Sequence, residues 1–68
     1  MTSVDSSAIR EIDYDPASER LLVRFVSGTL YVYADVPAKV GRPFLTASSK
    51  GRYFAAKVRD RYTYRRLD

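Results

Sequence analysis

The pair Ser27-Gly28 lies between two stretches in which apolar residues recur at every second position, an arrangement that calls for an antiparallel hairpin at the middle of the chain. Before it, over residues 20–26, Leu21, Val23 and Phe25 alternate with Leu22, Arg24 and Val26. After it, Leu30, Val32 and Ala34 alternate with Tyr31 and Tyr33. A two-residue loop at Ser27-Gly28 sets Val26 opposite Thr29, Phe25 opposite Leu30, Arg24 opposite Tyr31, Val23 opposite Val32 and Leu22 opposite Tyr33. One face then collects Leu21, Val23, Phe25, Leu30, Val32 and Ala34 and is expected to be the core side. The other carries Arg24, Tyr31 and Tyr33 beside Leu22, which suits either a second packed layer or a binding surface.

The flanks extend this unit. Asp15-Pro16-Ala17-Ser18-Glu19 has turn chemistry, because proline presets φ and the Asp and Ser side chains bond nearby backbone groups. It separates the second strand from a first, residues 8–14, in which Ile9 and Ile12 are three apart, so a bulge or an uncertain register is expected there. Asp35-Val36-Pro37 reads as a helix start with Asp35 as the cap. That helix is expected to be short or broken, since Gly41-Arg42-Pro43 interrupts it. Ser48 or Ser49 caps a further helix over residues 50–61, with Phe54, Val58 and either Arg61 or Tyr62 on one side. The alternating end, residues 62–66, is a closing extended segment or a tail. The expected fold is therefore α+β: a three-stranded antiparallel meander followed by short C-terminal helices packed on one face.

Size limits what such a unit can do. At 68 residues the chain is expected to form one domain over 1–68, which hides only about 60% of the surface its unfolded form exposes. It has no cysteine and no histidine, so disulfide staples, a Cys- or His-held zinc and a Ser-His or Cys-His nucleophile are excluded by composition. No catalytic, cofactor-binding or metal residues are assigned. Asp13 and Asp15 flank Tyr14, but aspartates beside a turn are usually solvated or bonded to backbone. The polar start Met1-Thr2-Ser3-Val4-Asp5-Ser6-Ser7 lacks a signal-peptide pattern, and no apolar run approaches the roughly 20 residues that cross a bilayer. A cytoplasmic protein with no membrane partner is expected.

Charge points to a partner. Residues 1–47 hold five basic and six acidic side chains, and residues 48–68 hold seven basic and two acidic. The same final segment contains three of the six tyrosines, and cations interleaved with flat aromatic faces suit unpaired nucleic acid. Lys50, Lys57, Arg52, Arg59, Arg61, Arg65 and Arg66 are candidate phosphate contacts. Tyr31, Tyr33, Tyr62 and Tyr64 are candidate stacking platforms, and Arg24 shares their expected face. Tyr31 and Tyr33 are about 7 Å apart along a strand, a spacing suited to two stacked bases and equally to packing under a helix. Ser49, Lys50, Gly51 and Arg52 at a helix start form a candidate anion site, with simple serine capping as its alternative. No phosphate-binding Gly-rich loop precedes them, so nucleotide triphosphate chemistry is not implied.

Several blocks in order carry a resemblance: Tyr31-Val32-Tyr33, Asp35-Val36-Pro37, Ser49-Lys50-Gly51-Arg52-Tyr53-Phe54, and Arg59-Asp60-Arg61-Tyr62-Thr63-Tyr64-Arg65. Together, over residues 6–67, the chain resembles the KTSC domain family, which is named for its occurrence at the C-terminus of some lysyl-tRNA synthetases and also exists as small bacterial proteins. The resemblance implies a binding module, with RNA as the partner proposed for the family. The sequence departs from the family pattern at Gly41-Arg42-Pro43, where an uninterrupted helix is usual, and at Ala55, where asparagine is common. Two expectations follow. The first is a non-enzymatic RNA-binding accessory module for tRNA or another structured RNA. The second is a protein-interaction or structural module whose second sheet face joins a partner chain, such as another copy of itself.

Overall fold

The computed structural model describes residues 2–3 and 8–67, so the reading of the polar lead 1–7 falls outside it except for the backbone of two residues. In chain order the elements are β1 (Thr2–Ser3), β2 (Ile9–Asp15), β3 (Arg20–Phe25), β4 (Leu30–Tyr33), α1 (Ala38–Thr46), α2 (Lys50–Lys57) and β5 (Tyr64–Arg66). The fold is α+β, as expected. β2 to β5 form the body of one antiparallel sheet, β1 adds a two-residue pairing at its outer edge, and the strand order follows the chain. Three strands was an undercount. The end of the chain is a strand, β5, that pairs with β4, Tyr31 standing opposite Arg66 and Tyr33 opposite Tyr64.

The first turn behaves as its residues dictate. The Asp15 carboxylate accepts from the Ala17 N–H at 3.0 Å and from the Ser18 hydroxyl at 2.8 Å. Those bonds, the Ser18 hydroxyl first, lower the pKa of Asp15 below the ordinary value. The expected irregularity in β2 is also present. The β2–β3 register shifts between Ile9 and Glu11, and the bulge lets Ile9 and Ile12, three apart, both reach the core.

The second turn corrects the expected register. Phe25 donates its N–H to Thr29 O at 3.0 Å, and Gly28 donates to Phe25 O at 2.9 Å, which makes Val26-Ser27-Gly28 a three-residue loop. Gly28 has φ 96°, the left-handed geometry such a loop requires at its last position. A two-residue loop would need positive φ at Ser27 as well, or glycine at the first loop position, and Ser27-Gly28 supplies neither. The pairs are therefore Arg24 with Leu30, Val23 with Tyr31, Leu22 with Val32 and Leu21 with Tyr33. A one-residue slip turns every side chain of a strand to the other face. Tyr31 and Tyr33 thus share the core side with Leu21, Val23 and Phe25. Leu30 and Val32 lie on the open side with Leu22 and Arg24.

Both helices cover the first of these faces, where Ile9, Ile12, Leu21, Val23, Val36, Phe44 and Val58 are fully buried. α1 starts differently from its expected form: Asp35 adopts φ 58° and does not cap, and Pro37 holds the cap position with no side-chain hydrogen bond. It also runs unbroken through Pro43. Proline there removes one helical bond, but a fully buried Phe44 and a close contact at Gly41 fasten the helix to the sheet. A Cβ on Gly41 would lie 2.3 Å from Tyr14 Cε1, so only glycine lets α1 sit on that ring. The Tyr14 hydroxyl passes beneath and donates to Val36 O at 2.6 Å. α2 is shorter than the predicted 50–61. It ends at Lys57, and the chain leaves through Val58, whose N–H bonds Phe54 O, and Asp60 at φ 61°.

Candidate nucleic-acid interface

On the helix side of the sheet, beyond the core, rings converge on a cleft of about 240 Å³ lined by Phe25, Tyr31, Tyr33, Phe54, Arg59, Asp60 and Tyr64. Each wall has a distinct origin. Register brings Tyr31, Tyr33 and Phe25 to one side of β3 and β4, pairing of β5 with β4 adds Tyr64, and the last turn of α2 lowers Phe54 between them. The rings meet mostly edge to face, the arrangement their quadrupoles favour: Tyr31 and Tyr64 at 5.2 Å and 89°, Phe25 and Phe54 at 5.4 Å and 79°, Tyr33 and Phe54 at 5.7 Å and 76°. The Arg59 guanidinium lies 5.9 Å from the centre of the Phe54 ring. Drug-sized pockets start near 300 Å³, so this cleft is smaller than a pocket for a larger ligand.

Accessibility differs among the rings. Tyr33 is 5% exposed, and its burial, helped by the nearby Tyr64 and Tyr31, pushes its phenol up to about 12. It is a core residue that shows one edge to the cleft. Tyr31 is half-buried and Tyr64 is 57% exposed. The Tyr31 and Tyr33 rings are 6.5 Å apart and tilted by 57°, so they do not present parallel faces to two bases.

The remaining candidates are dispersed over the molecule. Arg66 faces the cleft side, opposite Tyr31, in the β4–β5 ladder. Arg24 does not: it points to the open face, where it meets Glu11 at 3.6 Å and donates to Gly28 O at 2.8 Å. Arg65, opposite Val32, shares that open face. Arg52 and Lys57 border a shallow groove on the outer side of α2 with Ser49 and Tyr53. Tyr62 packs on the core cluster and is not among the cleft residues. Arg61 turns back, its Nε donating to Ala56 O at 2.9 Å at the end of α2.

At the start of α2 the hydroxyl of Ser49 accepts the Arg52 N–H at 3.3 Å, and the Lys50 ammonium donates to Ala47 O. These are the contacts of a capped helix, with the expected anion-binding groups of Ser49 and Lys50 engaged inside the fold. Gly51 lies half-buried within the first turn. Among the described residues, no group of three or more His, Cys, Asp or Glu side chains could hold a metal, and no helix is long and apolar enough to cross a membrane.

Phe25, Phe54 and Asp60 are the cleft residues that the sequence reading missed. A three-residue loop at 26–28 would have placed Phe25 beside Tyr31; nothing local in the sequence places Asp60.

The sequence profile of the KTSC domain family matches residues 5–62. The chain belongs to the KTSC domain family. A KTSC domain protein from Yersinia pestis of known crystal structure superposes with a TM-score of 0.93 at 33% identity, covering 98% of this chain and 94% of that one. A small protein from Tsukamurella paurometabola is 42% identical over 62 residues, 91% of this chain and 92% of its own length. The lysine–tRNA ligase of a Nostoc species is 33% identical over 63 residues, which span 93% of this chain and 11% of the ligase. The KTSC fold thus occurs both as most of a small protein and as a minor part of a large one.

Proposed function

We propose that this KTSC domain is a non-enzymatic RNA-binding module that takes one unpaired base into the aromatic cleft. The observation that carries this reading is the coincidence of a 57% exposed Tyr64 ring, a half-buried Tyr31 and the Arg59 guanidinium at one small cleft. The Tyr64 face stacks the base, Arg59 and Arg66 flank the opening as phosphate contacts, and Tyr33 and Phe54 form the rigid floor. Lys57 and Arg52, on the outer side of α2, extend the positive field along the strand. The likeness to a segment of a lysine–tRNA ligase supports RNA as the nucleic acid. Arg24 and Arg65, on the opposite face, are left out of this site.

Fluorescence anisotropy with a short single-stranded RNA and with bulk tRNA, each at two salt concentrations, tests the proposal. Stacking contributes about 1–3 kcal/mol per base, so Tyr64→Ala should weaken binding about tenfold while circular dichroism stays native. Arg59→Ala should weaken it and lower the salt slope by about 0.7 on single strands. Wild-type affinity in both variants, or no binding of either RNA at low salt, would remove the cleft as an RNA site.

A further inference from the structure

The face of the sheet away from the helices is built as a charge-graded surface. No described helix covers it. The register of the three ladders arranges its side chains in rows that run across β2, β3, β4 and β5. The middle row reads Asp13, Leu22, Val32, Arg65: acid, apolar, apolar, base. Above it, Glu11 and Arg24 are already paired with each other, and Leu30 bonds the backbone N–H of a half-exposed Leu67. Below it, Asp15 leads again on the β2 side, with the exposed Arg20 opposite it on β3. The acid column is thus confined to β2, and the face opens into a groove of about 370 Å³ in which Leu22, Val32, Ala34 and Leu67 lie between Arg20 and Arg65. At the two ends of the middle row, neither the Asp13 carboxylate nor the Arg65 guanidinium has a hydrogen bond or ion pair among the described residues.

A row of this composition is complementary to itself reversed. Two sheets can meet face to face about a two-fold axis in the plane between them, and that axis can run parallel or perpendicular to the strands. The perpendicular axis sets the β2 acid column over its own copy, a like-charge contact that opposes association. The parallel axis, passing between β3 and β4, sets Asp13 over Arg65 of the second copy, and Leu22 over Val32 of the second copy, twice by symmetry. We infer that the open face is the interface of a homodimer with its two-fold axis parallel to the strands, Leu22 and Val32 forming its dry centre and Asp13–Arg65 pairs closing both ends. Four strands at ordinary spacing give a flat footprint on the order of 300 Å² per copy before side-chain relief is added. Two copies together bury about 600 Å² of flat area, below the roughly 1,000 Å² of a stable specific pair, so the dimer is weak, reversible and concentration-dependent. The helix-side cleft stays open in it, and the inference does not depend on the RNA reading.

Sedimentation velocity over a concentration series tests this with the intact 7.8 kDa chain. The wild type should pass from monomer to dimer as concentration rises. Asp13→Arg and Arg65→Asp alone should each raise the midpoint by about tenfold or more, because each sets like charges opposite one another. The combined D13R/R65D swap should return it to within about threefold of wild type, a non-additivity that only direct pairing produces. Within one chain these two side chains are three strand spacings apart, about 14 Å, too far for the swap to act internally. Leu22→Glu should give a monomer with a native circular dichroism spectrum. A wild type that stays monomeric up to about millimolar concentration, above the range of specific pairs, overturns the inference. So does a dimer that tolerates both single reversals, or single-variant losses that the swap does not repair.

Discussion

Leu21 and Leu22 are neighbours of the same chemistry in the same strand, yet they live on opposite sides of the KTSC sheet. Leu21 is fully buried under the helices, while Leu22 is half-buried on a face that no described helix covers. The helix side is closed by interlocking contacts: Phe44 stacks on Tyr53 at 5.4 Å and 13°, Tyr53 donates to Val40 O at 2.7 Å, and Tyr14 to Val36 O. The open side has, among the described residues, one ion pair, Arg24 with Glu11, and its acids lie on β2. The difference teaches that burial is concentrated on one face of a thin sheet, so variants can address the two faces one at a time.

The largest expected effect breaks the covered side. Leu21→Ala should destabilise the fold by about 2–5 kcal/mol in urea titration, whereas Leu22→Ala, measured at concentrations where the chain is monomeric, should cost under about 1 kcal/mol. Equal losses would mean that the two faces are equally packed. Next comes the Tyr14–Gly41 contact. Tyr14→Phe leaves the Val36 carbonyl without its donor and should cost about 1–3 kcal/mol by thermal melting. Gly41→Ala drives a methyl into the Tyr14 ring and should cost about as much.

The smallest effect appears only in alkali. The unfolded chain titrates tyrosine near 10 and folded Tyr33 titrates at about 12, so between those values the folded state holds a proton that the unfolded state has released. The tyrosine contribution to stability should be level below about pH 10 and fall as pH rises through 12, with Tyr14 and Tyr53, also raised by burial, adding in the same direction. Tyr33→Phe should make that fall shallower in melts from pH 8 to 12; an unchanged fall would show that Tyr33 ionises as freely in the folded chain as in the unfolded one.

Element types were legible in the sequence where period and turn chemistry agreed. The Asp15–Ser18 turn, an irregularity between Ile9 and Ile12 and a serine cap at 48 or 49 all follow from local residues. The faces of the hairpin were less so, because alternation on both sides leaves either register apolar on one face, and only the lack of glycine at the first loop position favours three loop residues over two. That single residue decided whether Tyr31 and Tyr33 joined Arg24 or Phe54. α1 was misread for another reason. Pro43 opposes a helix locally, while the fixation of Phe44 and Gly41 comes from Tyr14 and the rest of the core, tertiary neighbours that local propensity cannot contain. The cleft required both corrections plus β5, and so its composition could be listed in part but not assembled.

The strand that completes the cleft is also the one whose pairing takes longest to arrange. β2 with β3 and β3 with β4 close over short turns, but Tyr33 meets Tyr64 only after both helices have been laid between them. Closing the longer loop costs more chain entropy, so β5 should dock last in folding and open first in the native state. Amide exchange at Leu67, whose N–H bonds Leu30 O, would then report a sub-global opening that leaves β2 to β4 protected. A ligand that stacks on Tyr64 would slow that exchange from a distance, making the cleft and the chain's last strand a single cooperative unit.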